Sequence, residues 1–96
     1  MSAKEKLKAK RQEILTLAQR HGARNVRIFG SVARGDDDEL SDVDFLVAFE
    51  KDRTLMDHAA LWVELEKLLG CKVDVAADDC LRPAVKERVL HDAVNL

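Results

Sequence analysis

Ser41-Asp42-Val43-Asp44-Phe45-Leu46-Val47-Ala48-Phe49 is the stretch on which the fold turns. Val43 to Phe49 is a β-branched and aromatic run, long enough for a strand in the middle of a sheet. Asp42 and Asp44 stand at i and i+2, so both carboxylates point to one face, about 6 to 7 Å apart along the backbone. Acids rarely share a face of so apolar a strand, because a buried, unpaired carboxylate is costly unless a cation or hydrogen bonds compensate. Two hard oxygen ligands so placed can hold Mg²⁺ between them.

Upstream, Val26-Arg27-Ile28-Phe29 alternates between turn residues and predicts a strand running into Gly30. Glycine there lets the backbone approach a phosphate, and the Ser31 hydroxyl with neighbouring amides can donate to it. Arg34 is a candidate phosphate clamp. Downstream, Leu55 to Leu69 predicts an apolar helix closed by Gly70. Cys71 to Ala76 then alternates as a third strand with Asp74 in its middle. A sheet placing this strand beside the second brings three carboxylates together. Such a set suits two-metal phosphoryl or nucleotidyl transfer, with ions about 3.5–4 Å apart stabilising the attacking and leaving oxygens. One ion would hold a triphosphate and the other would lower the pKa of the attacking hydroxyl.

The remaining segments complete the order α-β-β-α-β-α. Ala3 to His21 carries Leu7, Ile14, Leu17 and Ala18 at helical spacing among lysines, with Gly22 as a stop signal. Asp36 to Ser41 reads as a polar, solvated loop. Pro83 opens a last helix through Asn95. With 96 residues, 47% apolar content and one proline, the chain is expected to form a single domain over 1–96. Its core is modest, so a partner or ligand that binds only the folded form would add to its stability.

The net charge of −2 conceals a segregation. Residues 1–34 carry nine Lys/Arg against two Asp/Glu, whereas residues 35–79 carry four against fourteen. An acidic middle that accepts a triphosphate needs divalent cations to offset the repulsion. The lysines of the first helix are read as a solvated face. With 4% aromatic residues and no tyrosine, base-stacking platforms are scarce and a nucleic-acid partner is not expected. Cys71 and Cys80 lack metal or disulfide spacing, and His21, His58 and His91 are read as surface or capping residues. Met56, Leu61, Trp62, Val63 and Leu65 spread round more than one face of the second helix; core closure is the ordinary reading, and Trp62 is the preferred interface candidate. No apolar stretch approaches a membrane span and no signal-peptide core is present, so a cytoplasmic location is expected.

Two lookalikes fail on their own chemistry. Gly30-x-x-x-x-Gly35 is followed by Asp36-Asp37 where a P-loop needs Lys-Ser/Thr. The run Asp36-Asp37-Asp38-Glu39 lacks the glycine of a calcium loop, since Ser41 occupies that place.

Gly30-Ser31, ten intervening residues, then Asp42-Val43-Asp44 closely resembles the G-S-x10-D-x-D signature of the DNA polymerase β nucleotidyltransferase superfamily. The whole chain resembles its smallest branch, the minimal nucleotidyltransferase (MNT) domain proteins, and Asp74 falls where that superfamily places its third carboxylate. The resemblance implies an α+β fold, a small mixed β-sheet with helices packed on it. It implies that Asp42, Asp44 and Asp74 are catalytic and bind two Mg²⁺ ions, and that Gly30, Ser31 and Arg34 contact the triphosphate of ATP or another NTP. It further implies an antitoxin of the HEPN–MNT kind, which adenylylates a tyrosine of its HEPN partner. Occlusion of the partner without chemistry, and transfer to a small molecule or RNA, remain alternatives.

Overall fold

In the computed structural model, which describes residues 3–34, 42–78 and 81–96, the first predicted helix divides in two. α1 covers Ala3–Ala9 and α2 covers Arg11–Arg20. Lys10 between them has φ −106° and ψ 12°. Yet Lys10 N–H still donates to Lys6 O and Ile14 N–H to Lys10 O, so the break is a kink in a continuous hydrogen-bonded spiral. Neither proline nor glycine marks it in the sequence. Leu7 and Ile14, on either side, are both buried.

β1 covers Ala23–Phe29 and begins three residues before the predicted Val26. The cause is a β-bulge. From Arg24 to Arg27 the partner strand advances only from Ala48 to Leu46, and Asn25 between them takes φ 52°, a conformation its short polar side chain tolerates. The extra residue resets the alternation, so Ala23, Val26 and Ile28 are all buried. Gly30–Arg34 then form a short helix, α3, too brief to show a helical period in the sequence. β2 covers Val43–Phe49 as expected; the predicted Asp36–Ser41 loop lies outside the described residues.

α4 spans Leu55–Leu69, as predicted. Thr54 caps it: its Oγ1 accepts from Met56 N–H at 3.2 Å, and its own N–H donates to Asp57 Oδ2 at 3.0 Å. Gly70 ends it with φ 65°, the left-handed conformation glycine adopts without strain. Leu61, Leu65 and Leu69, one turn apart, are buried. β3 covers Val73–Ala77 and starts two residues after the predicted Cys71, because Cys71 and Lys72 complete the turn after Gly70. α5, Pro83–Asp92, stops short of Asn95, since Val94–Asn95 form β4 against β1.

The sheet order is β3-β2-β1-β4, with β2 and β3 parallel and the other pairs antiparallel. It is the mixed sheet of the expected α+β fold, and α4 supplies the crossover that parallel neighbours require. On one face Ile28, Phe45, Val47, Val73 and Val75 pack with Ile14 and Ala18 of α2 and Leu61, Leu65 and Leu69 of α4. Each such large side chain contributes roughly 1.5–3 kcal/mol by leaving water. Among the described residues no helix is long and apolar enough to cross a membrane.

Candidate active site

The helical layer occupies one face of the sheet, and the expected carboxylates lie on the other. Residues alternate along β2, so Asp44 and Leu46 face away from Phe45 and Val47. The register carries this across the sheet: Asp44 pairs with Phe29 of β1 and with Asp74 of β3. Asp44 and Asp74 are thus neighbours on one face, separated by the strand spacing of about 4.8 Å. Asp42 lies one residue before β2, where the strand alternation carried back by one residue would give it the face of Asp44. Val43 N–H donates to Lys72 O at 3.2 Å, which aligns the starts of the two strands.

Asp44 is half-buried, and Asp42 and Asp74 are exposed. Neither Asp42 nor Asp74 forms an ion pair with another described residue. A row of carboxylates presenting hard oxygens on one face suits a divalent cation. Among the described residues no three acid, imidazole or thiol side chains already converge on one point. A cation would therefore draw these carboxylates together by side-chain rotation from backbone positions that the register sets.

Gly30 follows Phe29, the strand partner of Asp44, and its backbone packs on that carboxylate. A Cβ built at Gly30 would overlap Asp44 Oδ2 and lie 3.3 Å from its Cγ, and the φ of 75° itself favours glycine. The room that glycine provides here is room for Asp44. Ser31 and Arg34 belong to α3, beside the same carboxylate row; their side chains lie outside the described residues.

Two features were not foreseen. Arg27 Nη2 donates to Asp78 Oδ2 at 3.1 Å, the two side chains being 18% and 24% exposed. Arg27 pairs with Leu46 of β2, so its guanidinium reaches from β1 past β2 to the end of β3, on the face of Asp44. Its place between the inward residues Val26 and Ile28 was the available signal. His58, read as a surface or capping residue, instead lies between the rings of Phe49 and Trp62, with centroids at 5.1 and 5.9 Å. Its Nε2 bonds to Val75 O at 2.6 Å. Its position three residues before Leu61 and seven before Leu65, on the helix stripe that faces the sheet, could have shown this. His21 is the C-cap of α2.

Trp62 is partly buried against the core, and Leu55 and Met56 are the large exposed apolar residues of the first turn of α4, at 84% and 80%. A concavity of about 500 Å³ between α2 and α4, with Leu17 and Leu68 among its walls, opens on the helical side, away from the carboxylates. It is separate from the candidate site.

Residues 7–94 match the nucleotidyltransferase domain family. A relative in Methanocaldococcus jannaschii, provisionally named a protein adenylyltransferase, is 38% identical over 86 residues, 90% of this chain and 92% of its own length. Protein adenylyltransferase MntA of Thermococcus cleftensis is 40% identical over 78 residues, 81% of this chain and 79% of its own length. A solved structure provisionally described as a minimal nucleotidyltransferase superposes with a TM-score of 0.90 at 52% identity, covering 100% of this chain and 97% of that one. The fold alone is shared, at a TM-score of 0.71 and 16% identity over 92% of this chain and 69% of the other, with a complex of an MNT antitoxin and the tri-AMPylated HEPN toxin of Shewanella oneidensis.

Proposed function

The chain belongs to the nucleotidyltransferase domain family and is a nucleotidyltransferase, and on that premise we propose that it transfers AMP from ATP to a hydroxyl of a protein partner. The acceptor in this reading is a tyrosine of a HEPN-family toxin, which the chain silences as an antitoxin in the cytoplasm. The protein adenylyltransferase names of its relatives support a protein acceptor. The observation that carries the reading is the register pair Asp44–Asp74, with Gly30 packed on Asp44; Asp42 stands two residues before Asp44 in the sequence.

Asp42 and Asp44 would hold the metal ions, and Asp74 would complete one of the two sites. Two bound Mg²⁺ ions would offset the charge of the triphosphate and lower the pKa of the attacking hydroxyl. Gly30 and Ser31 contact the triphosphate from the start of α3, with Arg34 assisting. Asp74, at the edge of the row, orients the acceptor hydroxyl and takes up its proton. The hydroxyl oxygen bonds to the α-phosphorus, the bond to the bridging oxygen breaks, and pyrophosphate leaves.

A second reading, neutralisation by occlusion alone, draws on the exposed Leu55 and Met56, which offer an apolar contact independent of the carboxylates. Asp42→Asn with Asp44→Asn separates the two. Loss of both the AMP adduct and neutralisation is expected of the enzyme; a double variant that still neutralises fully, with no adduct ever formed by the wild type, supports occlusion instead.

A further inference from the structure

β3, which carries Asp74, is an edge strand with β2 on one side only. In a parallel pair, successive residues direct their N–H and C=O groups alternately toward the neighbour and toward the open edge. Lys72 O accepts from Val43 N–H, so Lys72, Asp74 and Ala76 address β2 and Val73 and Val75 address the open edge. Two side chains of α4 meet them there. Val75 O accepts from His58 Nε2 at 2.6 Å, and Val73 N–H donates to Glu66 Oε2 at 3.4 Å. A carbonyl can only accept, so Nε2 of His58 carries the proton.

His58 and Glu66 are eight residues apart on α4, two turns along one row, with Trp62 between them. They engage the backbone on each side of Asp74. The imidazole is fixed in turn by Phe49 and Trp62. Unpaired edge groups of a strand otherwise bond to water or to other chains.

We propose that His58 is a positioning residue for the reaction, acting with Glu66 to clamp the open edge of β3 so that Asp74 stays in register beside Asp44. The inference rests on the reading of Asp74 as a site carboxylate. Neither side chain touches the substrate; each acts through the β3 backbone. Groups that orient metal ligands from behind typically change activity or metal affinity by roughly 10- to 100-fold when removed.

His58→Phe keeps the aromatic packing and removes the donor, whereas His58→Gln keeps an N–H able to reach Val75 O. In His58→Phe the expected result is a fall of about tenfold or more in kcat for AMP transfer, an unchanged KM for ATP, and a higher half-saturating Mg²⁺ concentration. Without metal, amide hydrogen exchange at Asp74 and Ala76 should quicken in the same variant. His58→Gln should stay near wild type in all four measures. Full activity and unchanged exchange in His58→Phe, or equal losses in the Phe and Gln variants, overturn the proposal. If the Phe variant does not fold, His58→Asn, too short to reach Val75 O, replaces it, and equal behaviour of Asn and Gln is the overturning result. Asp74→Asn run alongside separates the levels. Full transfer in that variant removes the role of Asp74 and the clamp with it, while an inactive Asp74→Asn beside an unaffected His58→Phe removes the clamp alone.

Discussion

The backbone of Gly30 lies against the carboxylate of Asp44, so closely that any side chain at Gly30 would overlap Oδ2. The contact joins the two halves of the sequence signature in space: the end of β1 and the start of β2 meet because Phe29 and Asp44 are strand partners. Gly30→Ala must meet both the overlap and a left-handed backbone costing about 1–2 kcal/mol for a residue with a Cβ. The expected outcome is a lower melting temperature and a loss of AMP transfer of about a hundredfold through displacement of Asp44. Thermal melts and initial-rate assays on the same preparation check it.

Asp44 and Asp74 should differ in what their replacement removes. Asp44→Asn is expected to abolish transfer, by roughly a hundredfold or more, because Asp44 lies between Gly30 and Asp74 and in the proposed mechanism would serve both metals. Asp74→Asn should lower kcat with little change in the KM for ATP, since the proposed role of Asp74 is toward the acceptor hydroxyl. Chelation of divalent ions should reduce transfer to background, and Mg²⁺ should restore it. Steady-state kinetics at several Mg²⁺ concentrations test all three expectations.

At the start of α4 a pH dependence is built in. Asp57 accepts the Thr54 backbone N–H, and that hydrogen bond above all, with the charge of Arg53, holds its carboxyl below the ordinary carboxylate range. A depressed folded-state pKa means that its contribution to stability is present at neutral pH. It disappears as pH falls from the ordinary carboxylate range through the lower folded value. Asp57→Asn should therefore be less stable than wild type near pH 7, with the gap closing in acid. Thr54→Ala should cost about 1 kcal/mol at neutral pH. Urea unfolding at several pH values measures both.

Much of the site was legible because its residues sit on strong local patterns. β2 declared itself by its apolar run, and the i, i+2 spacing of Asp42 and Asp44 gave the expectation of a common face before any partner strand was known. α4 was bounded by its cap at Gly70. What the sequence could not show was pairing. The Asp44–Asp74 register depends on how α4 returns the chain, and the bulge at Asn25, which decides that Arg27 and Phe29 share the face of Asp44, is a non-local event at a single residue. α3 and β4 are too short to carry a period. His58 was misread because its partner is a backbone carbonyl, a group that no side-chain motif announces.

Leu61 is fully buried in the hydrophobic core, so Leu61→Ala should destabilise the fold by about 2–5 kcal/mol through lost burial and the cavity left behind. Because α4 also carries His58 and Glu66, transfer activity should fall further than the folded fraction alone accounts for. Denaturant melts paired with activity per folded molecule check this.

Transfer of AMP to a protein hydroxyl would be read from the intact mass of a HEPN-family protein of the proposed kind after incubation with this protein, Mg²⁺ and each NTP. The expected result is a mass increase of one or more AMP units on the partner with ATP, absent with Asp42→Asn/Asp44→Asn and mapping to tyrosine. A partner that stays unmodified with every nucleotide while remaining fully neutralised would contradict it.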